Sequence, residues 1–185
     1  MDALQNRVIA GFLCLLIVIV SSVLGVASTL VPMRNQTTEL FRAGESGAPG
    51  ISGDLSEIAA QAFNLTVIAG HYLAPDYPAT VRVLEARDNL TRAIQGGFSP
   101  QEMRRANDEL IGAAQALHST LGGLELSDQD QNLMASVMAE ISSRVNLIGQ
   151  SPYNRAAFNF NRSLGRFPAN ILGPVAGVRP LELFE

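Results

Sequence analysis

An uninterrupted apolar run lies near the start of the sequence. Residues 8–31 read VIAGFLCLLIVIVSSVLGVASTLV, and none of these 24 residues is charged. A helix of that length rises about 36 Å at 1.5 Å per residue, which exceeds the roughly 30 Å hydrocarbon core of a bilayer. We therefore predict a transmembrane helix over residues 8–31, after a short tail over residues 1–7, with the lipid bilayer as its partner.

A cleaved signal peptide is the alternative interpretation of this run. Its positively charged region would consist of Arg7 alone, and the small residues near Ala27 offer only a weak cleavage site. The run is also longer than the apolar region of about 7–15 residues that signal peptides carry. These features favour a membrane anchor that is retained.

The charged residues limit both the partners and the orientation. Arginine supplies all 13 basic residues, and the pI is 5.2. No basic cluster is larger than Arg104-Arg105, so nucleic acid is not an expected partner. Arg7 precedes the apolar run, whereas Arg34 and Arg42 follow it. By a margin of one arginine, the positive-inside rule favours a cytoplasmic location for the C-terminal domain.

A juxtamembrane segment and a linker, together residues 32–53, follow the apolar run. The segment after Pro32 can continue the helix out of the membrane. Glycines at positions 44, 47, 50 and 53 then predict a flexible linker, because ordering glycine costs much backbone entropy. We expect a folded helical domain over residues 54–185.

Apolar residues recur at steps of three and four through four segments of that domain. The predicted helices cover residues 54–73, 79–95 and 99–121, and the fourth begins after Ser127. Asp54 with Glu57 fits a capping box at the start of the first helix, and Ser99 with Glu102 fits one at the start of the third. The predicted fold is all-α, with an antiparallel up-and-down four-helix bundle after the N-terminal transmembrane helix.

Three aromatic residues recur at intervals of seven beyond Pro152, where a helix break is expected. On a helix, Tyr153, Phe160 and Phe167 share one face with two smaller apolar residues, and this face predicts a core stripe. The stripe ends at Phe167-Pro168, because proline disfavours helical geometry in the residue before it. Residues 173–185 then form a terminal strap.

Two asparagines, Asn154 and Asn161, lie beside that stripe on nearly the same face. The favoured interpretation is structural: their amides hydrogen-bond to a neighbouring helix and set its register. The functional alternative is an amide pair that contacts a partner or a polar ligand.

The C-terminal pattern resembles the LemA family. It consists of Tyr153-Asn154, Phe160-Asn161 and the stretch from Phe167-Pro168 to Asn170, followed by Gly177 and a final Phe184-Glu185. Ala86-Arg87 resembles a family pair further upstream, whereas the glycine-rich linker departs from the family pattern. The resemblance implies a bacterial single-pass protein of the inner membrane, with an antiparallel helical bundle and no established enzymatic activity.

Groups arranged for catalysis are not apparent in the sequence. Neither His71 nor His118 has a cysteine, histidine or acidic residue three or four positions away, and no phosphate-binding or nucleophile motif is present. Cys14 is the only cysteine, which excludes an intrachain disulfide. We therefore expect neither catalytic residues nor a metal or other cofactor.

The favoured function is a membrane-anchored module that binds a protein partner or other copies of itself. The alternative is a small-ligand sensor with a pocket between the bundle helices. Its best polar groups would be Tyr153, Asn154 and Asn161.

Overall fold

The computed structural model describes residues 7–45, 47, 49–97 and 99–184, with side chains from residue 9 onward. Every regular element in these residues is a helix, as predicted, and none of them forms a strand. The helices are α1 (Arg7–Arg42), α2 (Ile51–Ala69), α3 (Pro78–Gln95), α4 (Pro100–Leu121), α5 (Asp128–Gln150), α6 (Tyr153–Leu164) and α7 (Ala169–Val175).

The chain divides into two compact units. The anchor unit comprises Met1–Thr38 and Arg155–Leu181, and the acidic unit comprises Glu39–Asn154 and Glu182–Glu185. The second name reflects the charge, because 16 of the 17 acidic residues belong to that unit.

In the acidic unit, α2 is the central helix. It packs against α3, α4 and α5, and α3 also packs against α4. Asp54 near the start of α2 pairs with Arg144 near the end of α5, at 3.2 Å. Tyr72, just after α2, donates a hydrogen bond to Asp130 at the start of α5. Because each end of α2 meets the opposite end of α5, the two helices run antiparallel.

Local capping explains where α4 and α5 begin. The Ser99 hydroxyl accepts a hydrogen bond from the Glu102 amide, and the Glu102 carboxylate accepts one from the Ser99 amide, so the predicted capping box is confirmed. Ser127 caps α5 through the amide of Asp130, also as predicted.

The capping box predicted at Asp54 is wrong. Helix α2 already begins at Ile51, and its N-cap, Gly50, makes no side-chain hydrogen bond. Burial of the Ile51 side chain accounts for the earlier start, since a helical first turn carries that residue into the core. Asp54 is itself buried, and its carboxylate bonds to Arg144 rather than to the helix terminus.

The glycine-rich connection between α1 and α2 is packed at Gly50, where the sequence predicted a flexible linker. A Cβ atom on Gly50 would lie 2.5 Å from the carbonyl oxygen of Phe41 and 2.7 Å from the amide nitrogen of Gly44. Both neighbours are backbone atoms, so the close approach requires a residue without a side chain. Residues 46 and 48 of the predicted linker lie outside the described residues.

Replacing Gly50 with alanine should therefore destabilise the acidic unit. The added methyl group must displace backbone, and overpacking of this kind typically costs about 1–3 kcal/mol. Chemical unfolding in detergent measures the loss. Gly112→Ala is the matched control, because a Cβ there meets nothing within 4 Å and alanine in a helix interior is favoured by about 1 kcal/mol over glycine. Equal stabilities of the two variants would contradict the tight connection.

In the anchor unit, α1 is long and apolar enough to cross a membrane. Every residue from Gly11 to Ser22 is exposed. Further along the helix, Leu30 packs in a buried cluster with Phe160, Leu164 and Val178. The helix passes through Pro32 and continues to Arg42, as the sequence predicted.

Helix α6 ends at Leu164, three residues earlier than predicted. Gly165 and Arg166 close the last turn by donating to the carbonyls of Asn161 and Ser163. Phe167 therefore lies beyond the helix, where the seven-residue spacing no longer places it on the core face. Its side chain is 81% exposed, so the prediction that it belongs to the core stripe is wrong.

Candidate functional site

The polar side chains of α6 hold the C-terminal segment by its main chain. In the anchor unit, the Asn161 amide nitrogen Nδ2 donates to the carbonyl oxygen of Leu181 at 2.7 Å. The amide of Leu181 donates back to Asn161 Oδ1 at 2.8 Å. One side-chain amide thus satisfies both backbone groups of one residue, as a neighbouring strand would.

The acidic unit contains an equivalent pair of hydrogen bonds. Asn154 Nδ2 donates to the carbonyl oxygen of Phe184 at 2.8 Å, and the amide of Phe184 donates to Asn154 Oδ1 at 2.7 Å. In addition, the Tyr153 hydroxyl donates to the carbonyl oxygen of Glu182 at 2.6 Å. We call Tyr153, Asn154 and Asn161 the clamp residues.

Aromatic packing supports the clamp residue Tyr153 in the acidic unit. Its ring meets that of Phe41 edge-on, with centroids 5.0 Å apart, and Phe41 also lies 5.9 Å from the ring of Phe184. All three rings are buried. Such contacts add about 0.5–1.5 kcal/mol per pair beyond the area they bury, so the end of the chain is fixed by packing as well as by hydrogen bonds.

The structure assigns different roles to the residues of the sequence motif. Tyr153 and Phe160 are buried, as the core stripe predicted. Asn154 and Asn161 bond to the C-terminal main chain, whereas the sequence predicted a neighbouring helix as their partner. Pro168 is the N-cap of α7 and follows a cis peptide bond. The three polar groups suggested for a small-ligand pocket are thus the clamp residues.

A second polar cluster lies in the acidic unit, where α2 ends and α5 begins. Asp130 Oδ2 accepts hydrogen bonds from the Tyr72 hydroxyl at 2.6 Å and the Ser127 hydroxyl at 3.0 Å. It also lies 3.3 Å from His71 Nδ1. The amide of Ser127 donates in turn to the Tyr72 hydroxyl. The sequence indicated Asp130 only as part of a helix cap, because its other partners are almost 60 positions away.

These hydrogen bonds, above all the one from Tyr72, lower the pKa of Asp130, and burial opposes them only in part. An aspartate with a lowered pKa stabilises the fold above its ordinary value of about 4, and this stabilisation is lost as the pH falls through the lower folded value.

Tyr72→Phe should therefore reduce stability at neutral pH and weaken the dependence of stability on pH below about 4. Unfolding midpoints measured from neutral to strongly acidic pH provide the test, with Tyr77→Phe as a control outside the cluster. Parallel pH profiles for the wild type and Tyr72→Phe would show that the hydrogen bond does not set the Asp130 pKa.

The chemistry of the clamp is recognition of main chain. Its groups are amides and a hydroxyl, which both donate and accept hydrogen bonds. Among the described residues, no group of three histidine, cysteine or acidic side chains is positioned to hold a metal ion.

Comparisons with known proteins provide no identification. The chain matches no protein-family model, no curated protein and no solved structure.

Proposed function

We propose that this protein is a membrane-anchored helical module that binds a protein partner or other copies of itself, and that it is not an enzyme. The observation that carries the proposal is the single helix α1. Its apolar side chains are exposed from Gly11 to Ser22, and the same helix continues to Arg42. In water such a surface would be costly to expose, whereas a bilayer covers it.

We further propose that α2–α5 act as one antiparallel up-and-down four-helix bundle. The opposed directions of α2 and α5 support this arrangement, as do the short connections between successive helices. A rigid bundle offers a fixed outer surface, which suits recognition of another protein.

The exposed face of α2 is the best candidate for the binding surface. Phe63 and Val67, one turn apart, are both exposed although α2 packs against three other helices. The Arg87 guanidinium lies 4.8 Å from the centre of the Phe63 ring. Aromatic residues and arginine are enriched where proteins bind one another, so this face has suitable chemistry.

The motif of α6 supports a distant relationship to the LemA family, and with it a location in the bacterial inner membrane. Its Tyr-Asn and Phe-Asn pairs combine buried core rings with the clamp amides. We propose a cytoplasmic acidic unit, because Arg34 and Arg42 outnumber Arg7 beside the apolar run. Reporter fusions at the C-terminus distinguish the two sides of the membrane.

Fractionation and cross-linking test the two halves of the proposal. Wild-type protein should stay in the membrane after an alkaline wash, and the double variant Leu16→Arg/Ile17→Arg should be released, since each arginine opposes insertion by about 2.5–3.5 kcal/mol. Leu133→Arg, on the exposed surface of α5, is the control.

A photo-cross-linker at Val67 should capture a partner or a second copy more efficiently than one at Ser119. Recovery of an uncross-linked monomer with both would contradict an interaction through α2.

A further inference from the structure

An exposed apolar stripe in the anchor unit takes no part in the hydrogen bonds of the clamp residues. Phe167, Ile171 and Val175 are 81%, 59% and 70% exposed. Ile171 and Val175 lie one turn apart on one face of α7, and Phe167 lies in the turn just before that helix. Gly173, on the opposite face, packs against Leu164: a Cβ atom there would lie 2.5 Å from Leu164 Cδ1.

Phe167 and Ile171 of this stripe lie beside the apolar run of α1. One open groove of about 520 Å³ is formed between the two segments. Its lining residues are Val18, Ile19, Ser22, Gly25 and Val26 on α1, together with Phe167, Pro168, Ile171 and Leu172.

The position of the groove along α1 indicates what surrounds the stripe. Residues 18–26 lie about 8 to 20 Å along the helix axis from Val31, where the uncharged run ends. A hydrocarbon core of roughly 30 Å that encloses α1 therefore reaches the level of Phe167 and Ile171. At this level, acyl chains meet any apolar surface that protein does not cover.

The charge of the surrounding residues suits an anionic membrane surface. Residues 155–181 contain four arginines, all exposed, and no aspartate or glutamate. They are Arg155, Arg162, Arg166 and Arg179. Long arginine side chains place their guanidinium groups at the headgroups while the aliphatic stems remain in the apolar layer.

Part of the backbone of the turn is satisfied internally, as a lipid environment favours. Gly165 and Arg166 donate to carbonyls of α6. Asn170, Ile171 and Leu172 donate to the carbonyls of Arg166 and Pro168.

We propose that the α6–α7 turn is embedded in one leaflet of the bilayer beside α1, with the stripe of Phe167, Ile171 and Val175 against acyl chains and the arginines at anionic headgroups. This inference rests on the proposed membrane anchoring by α1. It adds a second contact with the membrane that does not span it, of the kind made by interfacial helices.

Depth-dependent fluorescence quenching tests the inference on the full chain. In a Cys14→Ala background, single cysteines replace Ile171, Leu16 or Asn159, and each carries an environment-sensitive fluorophore. The proteins are reconstituted into phosphatidylcholine–phosphatidylglycerol vesicles that contain nitroxide-labelled lipid. Leu16 reports on the anchor, and Asn159, exposed on α6, is the comparison within the same unit.

We expect blue-shifted emission and strong quenching at Leu16 and Ile171, and weaker quenching at Asn159. If Leu16 is quenched and Ile171 behaves like Asn159 in an aqueous environment, the inference is overturned and the anchor stands. If Leu16 is not quenched, the proposed membrane anchoring itself fails. If Ile171 is blue-shifted but not quenched, and Ile171→Cys forms a disulfide-linked dimer, a second copy rather than lipid covers the stripe.

The arginines are tested in the same assay. Arg162→Glu/Arg166→Glu, or vesicles of phosphatidylcholine alone, should reduce the quenching at Ile171 towards the Asn159 value while Leu16 stays unchanged. Unchanged quenching at Ile171 would overturn the assignment of the arginines to anionic headgroups.

Discussion

Replacing Phe160 with alanine should lower the free energy of unfolding by about 3–5 kcal/mol, the usual cost of deleting a fully buried aromatic ring. Phe160 is 0% exposed and packs with Leu30, Leu164 and Val178 in the anchor unit. Its removal leaves a cavity between α1, α6 and the C-terminal segment, which those neighbours can fill only in part.

Phe158→Ala provides the matched control. This ring lies on the same helix and is 57% exposed, so its loss should change stability by no more than about 0.5 kcal/mol. Denaturant unfolding in detergent, followed by circular dichroism, measures both variants. A Phe160→Ala protein as stable as Phe158→Ala would show that the face of α6 carrying Phe160 is not part of a core.

Removing both clamp asparagines should have an effect of similar size. Asn154→Ala/Asn161→Ala deletes four hydrogen bonds and leaves the backbone groups of Leu181 and Phe184 without these partners. Each asparagine should cost about 1–3 kcal/mol, since partly buried polar groups lose their partners. The amides of Leu181 and Phe184 should also exchange hydrogen much faster. Asn159→Ala, an exposed asparagine of α6, is the control.

The variant Asn161→Asp tests the geometry of the clamp more sharply. An ionised aspartate still accepts from the Leu181 amide, but its second oxygen faces the Leu181 carbonyl oxygen where Asn161 placed a donor. Folding then disfavours the ionised form, so the pKa of the new carboxyl group is raised in the folded state. Stability of this variant, compared with the wild type, should therefore recover as the pH falls through that raised pKa. A constant difference at every pH would argue against the bidentate arrangement.

Much of the fold follows from local patterns in the sequence. The uncharged run from Val8 to Val31 predicts α1, and serine caps at Ser99 and Ser127 predict the starts of α4 and α5. These signals work because a cap or a run of apolar residues depends on neighbours within a few positions. The buried positions of Tyr153 and Phe160 follow from the same kind of local periodicity.

Long-range partners are less accessible to such reasoning. Asp54 resembles a helix cap, yet it pairs with Arg144, 90 positions away. Gly50 resembles a flexible position, yet it is required because two backbone segments approach each other closely. In both cases the residue type is compatible with a local role, and the packing of distant segments determines the actual one.

The α6 motif shows most clearly which features the sequence determines and which the tertiary structure decides. The sequence by itself determined that the chain is helical, that it carries one long apolar helix, and that an aromatic stripe with two asparagines lies near its end. Only the tertiary structure decided that Asn154 and Asn161 hold the C-terminal main chain and that Phe167 is exposed. The physical reason is that periodicity determines which face of a helix a residue occupies, whereas the partner on that face depends on where the rest of the chain folds.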